Sequence, residues 1–320
     1  MTPRDDTGHT SILVSGAQTY RIADLPVRAG AALQRLPWVH RILLENALRL
    51  GSAEDAAKVL QNDRGEIAFY PGRVLMHDTT CGPALADIAA MRSVLAENGY
   101  DPLLLNPTLP IDVSTDHSLP VDVFAVPDAA LRNMANEYRR NQERYRFMKW
   151  AAAALKGLRV HPPGTGIMHT INLERLASVV VHDNYTGAAW AFPDTLIGTD
   201  SHTPMINGIG VLAWGVGGLE AESVMFGMPV MLPVPEVIGV RLYGSLPEGV
   251  LATDLALTVT ERLRRTDLAG RFVEFFGPGV GTLSAGERCV VANMAPEYGA
   301  STGYFPIDAN TLRYLEATGR

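Results

Sequence analysis

Arg73-Val-Leu-Met-His-Asp-Thr-Thr-Cys-Gly-Pro83 is the stretch on which the fold turns. Arg73 to Met76 reads as a short buried strand and His77 to Thr80 as a polar loop. Pro83, with its fixed φ and missing N–H, suits a helix start, so a helix is expected from there to near Gly99. Strand, polar tip and helix together make the repeating unit of an α/β sheet. The unit recurs three times. Ile111-Asp-Val113 ends in Ser114-Thr-Asp-His117 ahead of a long helix from about Asp128 to Lys156 that stops at Gly157. Leu158 to His161 leads through Pro162-Pro-Gly-Thr-Gly166 to His169 and a helix beginning near Asn172. Thr195-Leu-Ile-Gly-Thr199 ends in Asp200-Ser-His-Thr203 and a glycine-rich run from Asn207 to Gly218. In open α/β sheets the ligand crevice lies beyond the carboxyl ends of the strands, so four polar tips are expected to converge there.

Working outward, Ser11–Val14 and Thr19–Ile22 flank a turn and read as a hairpin, followed by a helix from Trp38 to Leu50. Pro233-Val-Pro-Glu236 reads as a linker. After it come a strand from Val237 to Tyr243 and a helix over Asp254–Arg265 capped by Thr253. Ser284-Ala-Gly-Glu287 fits a capping box at the head of a helix carrying Cys289, and Asp308 caps a last helix over Ala309–Thr318. The expected architecture is a three-layer α/β/α domain over residues 1–235, with its amino-terminal hairpin and helix, and a second, smaller α/β domain over residues 236–320.

At 320 residues, 47% hydrophobic and 19% charged, the chain can bury a large core and is slightly poor in surface charge, which suggests burial against a partner. The net charge, 27 minus 34 or −7, comes without a basic stripe, so nucleic acid is not the expected ligand. No stretch approaches the roughly 20 apolar residues of a membrane span, and residues 1–10 lack an apolar leader core, so a cytoplasmic protein is expected. Cys81 and Cys289 are the only cysteines, too far apart for a metal knuckle.

Several motifs occur in an order that resembles the amino-terminal part of the aconitase family, the aconitate hydratases and iron-regulatory proteins. They are Leu36-Pro-Trp-Val-His-Arg-Ile-Leu-Leu-Glu-Asn46, Asp116-His-Ser118, Gly198-Thr-Asp-Ser-His-Thr203 with Asn207-Gly208, Phe272-Val-Glu-Phe-Phe-Gly-Pro-Gly-Val280 and Asn293-Met-Ala-Pro-Glu-Tyr-Gly-Ala300. The resemblance runs from about residue 17 to Arg320 and implies an aconitase-like fold. In that family the chain continues past the position of Arg320, bringing three cysteines of a cubane iron–sulfur cluster, substrate-binding arginines and a serine base. No such cluster is expected from this chain alone. Within the shared part, the loop that usually reads Gln-Asp-Phe-Thr-Gly reads His77-Asp-Thr-Thr-Cys81 here, which replaces an amide by an imidazole.

Asp116 and His117 form the pair most like an acid–base device: a neighbouring carboxylate favours imidazolium and keeps a proton ready for a leaving hydroxyl. The matching pair does this in the family; the plainer alternative is a turn cap beside a packed histidine. Asp200, Ser201 and His202 offer the same combination plus a hydroxyl for a substrate carboxylate, and the following glycines either admit an anion to the backbone or serve tight packing. Asn293 and Glu297, four apart, share a face if their helix continues, although Pro296 opposes continuation. Thr79 and Thr80 add hydroxyls beside His77. His169 matches a histidine of the relatives and is expected to be a buried supporting residue. His77, His117 and His202 together are candidate ligands for one divalent ion that would stand in for the cluster. His9, His40, His161 and His182 show no partner pattern, and Arg139, Arg140, Arg144 and Arg146 read as a solvated helix face.

Three functions follow as expectations. The first is a truncated, cluster-free hydro-lyase or isomerase acting on a small hydroxy-carboxylate. In it His117 is the general acid oriented by Asp116, Ser201 and His202 bind substrate, and His77 is the base or a metal ligand. The second is one subunit of a split enzyme completed by another polypeptide, with homo-oligomerisation as the other form of partnership. The third is a non-catalytic organic-acid-binding protein.

Overall fold

The computed structural model describes residues 9–115, 119–185 and 188–320. Its strands are β1 (Thr10–Ser15), β2 (Gln18–Ala23), β3 (Glu66–Phe69), β4 (Arg73–His77), β5 (Ile111–Ser114), β6 (Leu158–His161), β7 (Val180–Tyr185), β8 (Ala188–Pro193), β9 (Thr195–Gly198), β10 (Leu212–Gly215), β11 (Val230–Pro233), β12 (Val237–Arg241), β13 (Phe272–Phe276) and β14 (Gly303–Tyr304). The centre is a five-stranded sheet in the order β10-β9-β4-β5-β6, parallel throughout. Because successive side chains point to opposite faces, Val74, Met76, Ile111, Val113, Ile197 and Leu212 enter one core, with Leu85 and Ile88 of the helix Asp78–Glu97 and Met148 and Ala151 of the helix Gln142–Ala154. Leu75, Leu196 and Ala213 enter the opposite core, where Met168, Leu173, Ile206 and Ile209 cover them. These are the three layers of an α/β/α domain.

The hairpin β1-β2 forms in register from Thr10↔Ala23 to Ser15↔Gln18 and joins β8 and β7 in a four-stranded sheet. Residues beyond 235 build a parallel three-stranded sheet, β12-β13-β14, with its own core of Val273, Phe275, Val291 and Phe305. That unit sits directly on the first. Gly208, in the turn Thr203–Ile209, meets the helix Ala285–Asn293 so closely that a Cβ would lie 2.5 Å from the backbone nitrogen of Cys289, so only glycine fits there. Across the same junction Glu274 of β13 accepts the Val39 N–H at 3.1 Å and so caps the start of the helix Trp38–Arg49, where Pro37 supplies no side-chain cap. Burial pushes the Glu274 carboxyl above its usual range, an effect that the backbone N–H groups partly offset.

Local boundaries differ from the sequence expectation in instructive places. The helix after β4 begins at Asp78, and Pro83 lies inside it. Proline forfeits only the bond to the residue four back, which tertiary burial of Leu85 and Ile88 outweighs. The expected helix 128–156 is two, Ala129–Arg140 and Gln142–Ala154, broken at Asn141, whose amide donates to Glu137 Oε1 at 2.8 Å. The helix expected near Asn172 starts at Met168 and widens into a π turn over Asn172–Leu176. The helix Ala252–Leu263 is capped by Asp254, which reaches back to the Leu251 N–H at 2.8 Å, and not by Thr253. Arg144 is no solvated residue: it pairs with the buried carboxylate of Asp78, while Arg140 holds Asp122 at 2.7 Å. His161 and His40 are also partnered, to Asp112 at 2.8 Å and to the Pro235 carbonyl at 2.8 Å.

Candidate active site

The chain runs from β4 through β5 to β6 on one side, then returns to place β9 and β10 on the other side of β4, so the order reverses between β4 and β9. A reversal of this kind opens a crevice at the carboxyl ends of the two strands. His77 ends β4 and Thr199 follows β9, and the crevice is bridged there by Thr80 Oγ1 and Thr199 Oγ1 at 2.6 Å. His77 itself starts the helix Asp78–Glu97, with its Nδ1 against the Thr79 hydroxyl. In register on the next two strands lie Ser114 and His161. Ser114 Oγ is buried and has no hydrogen-bond partner among the described residues. Asp116, His117 and Ser118 follow in sequence and lie outside the described residues.

On the β9 side one carboxylate organises the tip. Asp200 Oδ1 accepts the His202 backbone N–H at 2.8 Å and lies 2.7 Å from His169 Nε2, while the Asp200 carbonyl takes the Thr203 hydroxyl at 2.6 Å. The loop is therefore fixed from both ends. Its imidazole, His202, reaches the second unit, where Nε2 stands 2.9 Å from Glu297 Oε1. Its other ring nitrogen, Nδ1, lies 3.5 Å from the Ser201 hydroxyl and 3.7 Å from Asp200 Oδ1. Glu297 Oε2 and Asn293 Oδ1 are buried atoms without hydrogen-bond partners among the described residues. Oxygens of this kind at a crevice are free to accept a donor from outside the described residues.

Asn293 and Glu297 do not share one helix. The helix Ala285–Asn293 stops, Met294 intervenes at φ −88° and ψ 16°, and Pro296 opens a new turn, Ala295–Tyr298. Beneath Glu297, Tyr298 is buried, and burial and the adjoining carboxylate push its phenol upward. A cavity of about 450 Å³ opens beside the tip between Asp200, Ser201, Glu220 and Ser301.

The cysteines do not fit a cluster. Cys81 packs behind the helix start with Sγ 3.5 Å from the Asp78 carbonyl, and Cys289 packs against Gly208. Burial pushes each thiol up to about 12, the nearby Asp78 adding to the effect at Cys81. Among the described residues no group of three or more His, Cys, Asp or Glu side chains is arranged to hold a metal ion. Nor is any helix among them long and apolar enough to cross a membrane.

Two features escaped the sequence. The Asp112–His161 pair joins adjacent parallel strands diagonally, since the register sets Asp112 beside Arg159 and His161 two residues further on beside Ser114, and nothing local in either strand signals it. Thr199 carried a signal that was passed over, since it follows β9 directly, as the polar tip of β4 follows its strand.

Parallel sheet, switch-point crevice and a histidine–carboxylate tip define an α/β protein with a polar crevice at its strand ends. The chain matches the aconitase family (aconitate hydratase) model over residues 52–320. It is 49% identical over 310 residues to aconitate hydratase A of Staphylococcus epidermidis and 49% identical over 313 residues to aconitate hydratase A of Thermus thermophilus, each covering 94% of this chain and 34% of the relative. Aconitate hydratase A of Staphylococcus aureus is 50% identical over 297 residues, 90% of this chain and 33% of the relative. The chain belongs to the aconitase family. It spans about a third of the length of these relatives.

Proposed function

We propose that this chain supplies the acid–base and carboxylate-binding wall of a site that adds or removes water on a small hydroxy-carboxylate. One observation carries the reading: at the switch-point crevice Asp200 accepts from the His202 backbone N–H and lies against His169, while the His202 ring reaches Glu297 and so crosses from the first unit to the second. In this reading residues from 236 onward act as a second domain whose part is to present Asn293 and Glu297. Ser201, Thr79 and Thr80 hold the substrate carboxylate by their hydroxyls, with Asp200 fixing the loop. Asp116 and His117, by resemblance, pass a proton to the departing hydroxyl. His77, where relatives hold an amide, is a further proton carrier.

The family's iron–sulfur cluster, when bound, acts as a Lewis acid on the substrate hydroxyl. The two cysteines of this chain do not fit it, so its ligands belong with the two-thirds of the relatives' length not matched here, joined to this chain or carried by a second polypeptide. The alternative of one divalent ion on His77, His117 and His202 rests on His117, which lies outside the described residues.

The test is calorimetric titration of the chain with citrate and related hydroxy-carboxylates, alongside an ultraviolet assay for the conjugated double bond that dehydration creates. Binding that Ser201→Ala and His202→Ala each weaken at least about tenfold supports the reading. Absence of binding, or binding indifferent to both substitutions, overturns it.

A further inference from the structure

At the opposite edge of the parallel sheet, where β4, β5, β6 and β9 begin, a second cavity of about 230 Å³ is lined by Arg49, Arg73, Arg159, His182, Asp183 and Asp194, among others. Three guanidinium groups share it with two carboxylates. The hydrogen bonds already made show which charges are in use. Arg73 donates Nε and Nη2 to Asp194 and Nη1 to Asn172 Oδ1 at 2.8 Å, and Asp194 also takes the Ser178 N–H at 3.1 Å. That pair is saturated and forms a rigid wall.

Arg49 is different. It is 2% exposed, its Nε and Nη2 go to Glu45 at 2.7 and 3.1 Å, and its plane lies 3.8 Å over the ring of Phe192. Nη1 hydrogen-bonds to no described residue. Arg49 lines the cavity, and a buried guanidinium held on two sides keeps its remaining Nη1 donors in a fixed place. At the mouth Arg159, 57% exposed, uses only Nη2, on Asp112 at 2.7 Å.

We propose that this cavity is a second binding site, remote from the switch-point crevice, for a small oxyanion that accepts hydrogen bonds from Arg49 Nη1 and from Arg159. Carboxylate and phosphate share this chemistry, planar or tetrahedral oxygens matched to guanidinium donors. Neither the hydratase reading nor the residues assigned to it enter the argument.

The experiment is calorimetric titration of the 320-residue chain with inorganic phosphate and, separately, with succinate, repeated on Arg49→Lys, Arg159→Gln, Arg140→Gln and Ser201→Ala. The expected result is one equivalent of phosphate or succinate that still binds in Ser201→Ala, where the crevice is impaired, that Arg49→Lys or Arg159→Gln weakens at least about tenfold, and that Arg140→Gln leaves unchanged. Phosphate alone binding assigns the site to phosphorylated ligands, and succinate alone to carboxylates. Should Arg49→Lys fail to fold, Arg159→Gln alone decides, because its side chain is largely exposed. No binding of either anion, or binding lost in Ser201→Ala but kept in Arg159→Gln, overturns the proposal.

Discussion

His202 Nε2 and Glu297 Oε1 stand 2.9 Å apart although 95 residues separate them, and the contact joins the tip of β9 to the unit built on β12, β13 and β14. Geometry within either unit alone leaves each side chain without this partner. The contact is thus a property of how the two units are seated.

Glu297→Gln keeps the shape of the side chain and removes its charge, so the expected outcome is a folded protein with an impaired site. If the pair acts as one device, Glu297→Gln and His202→Ala each lower turnover of an accepted substrate by about 10²- to 10⁴-fold, and the double variant falls little further. Full additivity in a double-mutant cycle would show that the two residues act separately.

Gly208 sets the seating. Gly208→Ala places a Cβ 2.5 Å from Cys289 N and 2.6 Å from its Sγ, and a backbone nitrogen in a helix cannot yield as a side chain can. The expected cost is about 1–3 kcal/mol by chemical denaturation. Adding Cys289→Ala removes the sulfur but leaves the backbone clash, so it should restore little. Full rescue by Cys289→Ala would place the constraint in the sulfur.

The strands, their polar tips and the family were legible because they are local. The short apolar run within Arg73–His77, the polar residues after it and the capping box Ser284–Glu287 each depend on a few neighbours along the chain, and the structure shows that box closed in both directions. What was not legible depends on register. Asp112 and His161 are partners only because β5 and β6 pair in parallel, and Arg144 reads as a surface arginine until the helix Gln142–Ala154 is laid beside Asp78. The turn at Met294 shows the same limit from the other side. Pro296 signalled a break, but only the packing of Ala295 and Tyr298 decided where Glu297 would point.

Asp78 provides a stability test. Its side chain is almost wholly buried and its charge is met by Arg144. Arg144→Ala removes the cation that Asp78 pairs with in the interior, for an expected loss of about 3–5 kcal/mol. Asp78→Asn combined with Arg144→Ala removes the buried charge as well and should recover much of it. Equal losses in the single and double variants would contradict the pairing as the source.

Both thiols lie in the interior, pushed up to about 12 by burial. Since the thiolate is the reactive form, native protein should consume almost no aromatic disulfide reagent near neutral pH, and two equivalents should appear together on unfolding. Rapid labelling of either cysteine in native protein would mean that its surroundings open.

Asp112 makes the pH dependence specific. Burial works against its carboxylate, but hydrogen bonds from His161 and Arg159 outweigh that and hold it below the ordinary carboxylate range. A carboxyl depressed in the folded state binds fewer protons there than in the unfolded chain, so its contribution is complete above the unfolded value of about 3.9 and fades as pH falls through the lower folded value. Denaturation midpoints of wild type and Asp112→Asn should therefore differ most above pH about 5 and converge in more acidic solution. A constant difference across that range would show that Asp112 acts through packing and hydrogen-bond geometry, with its charge playing no part.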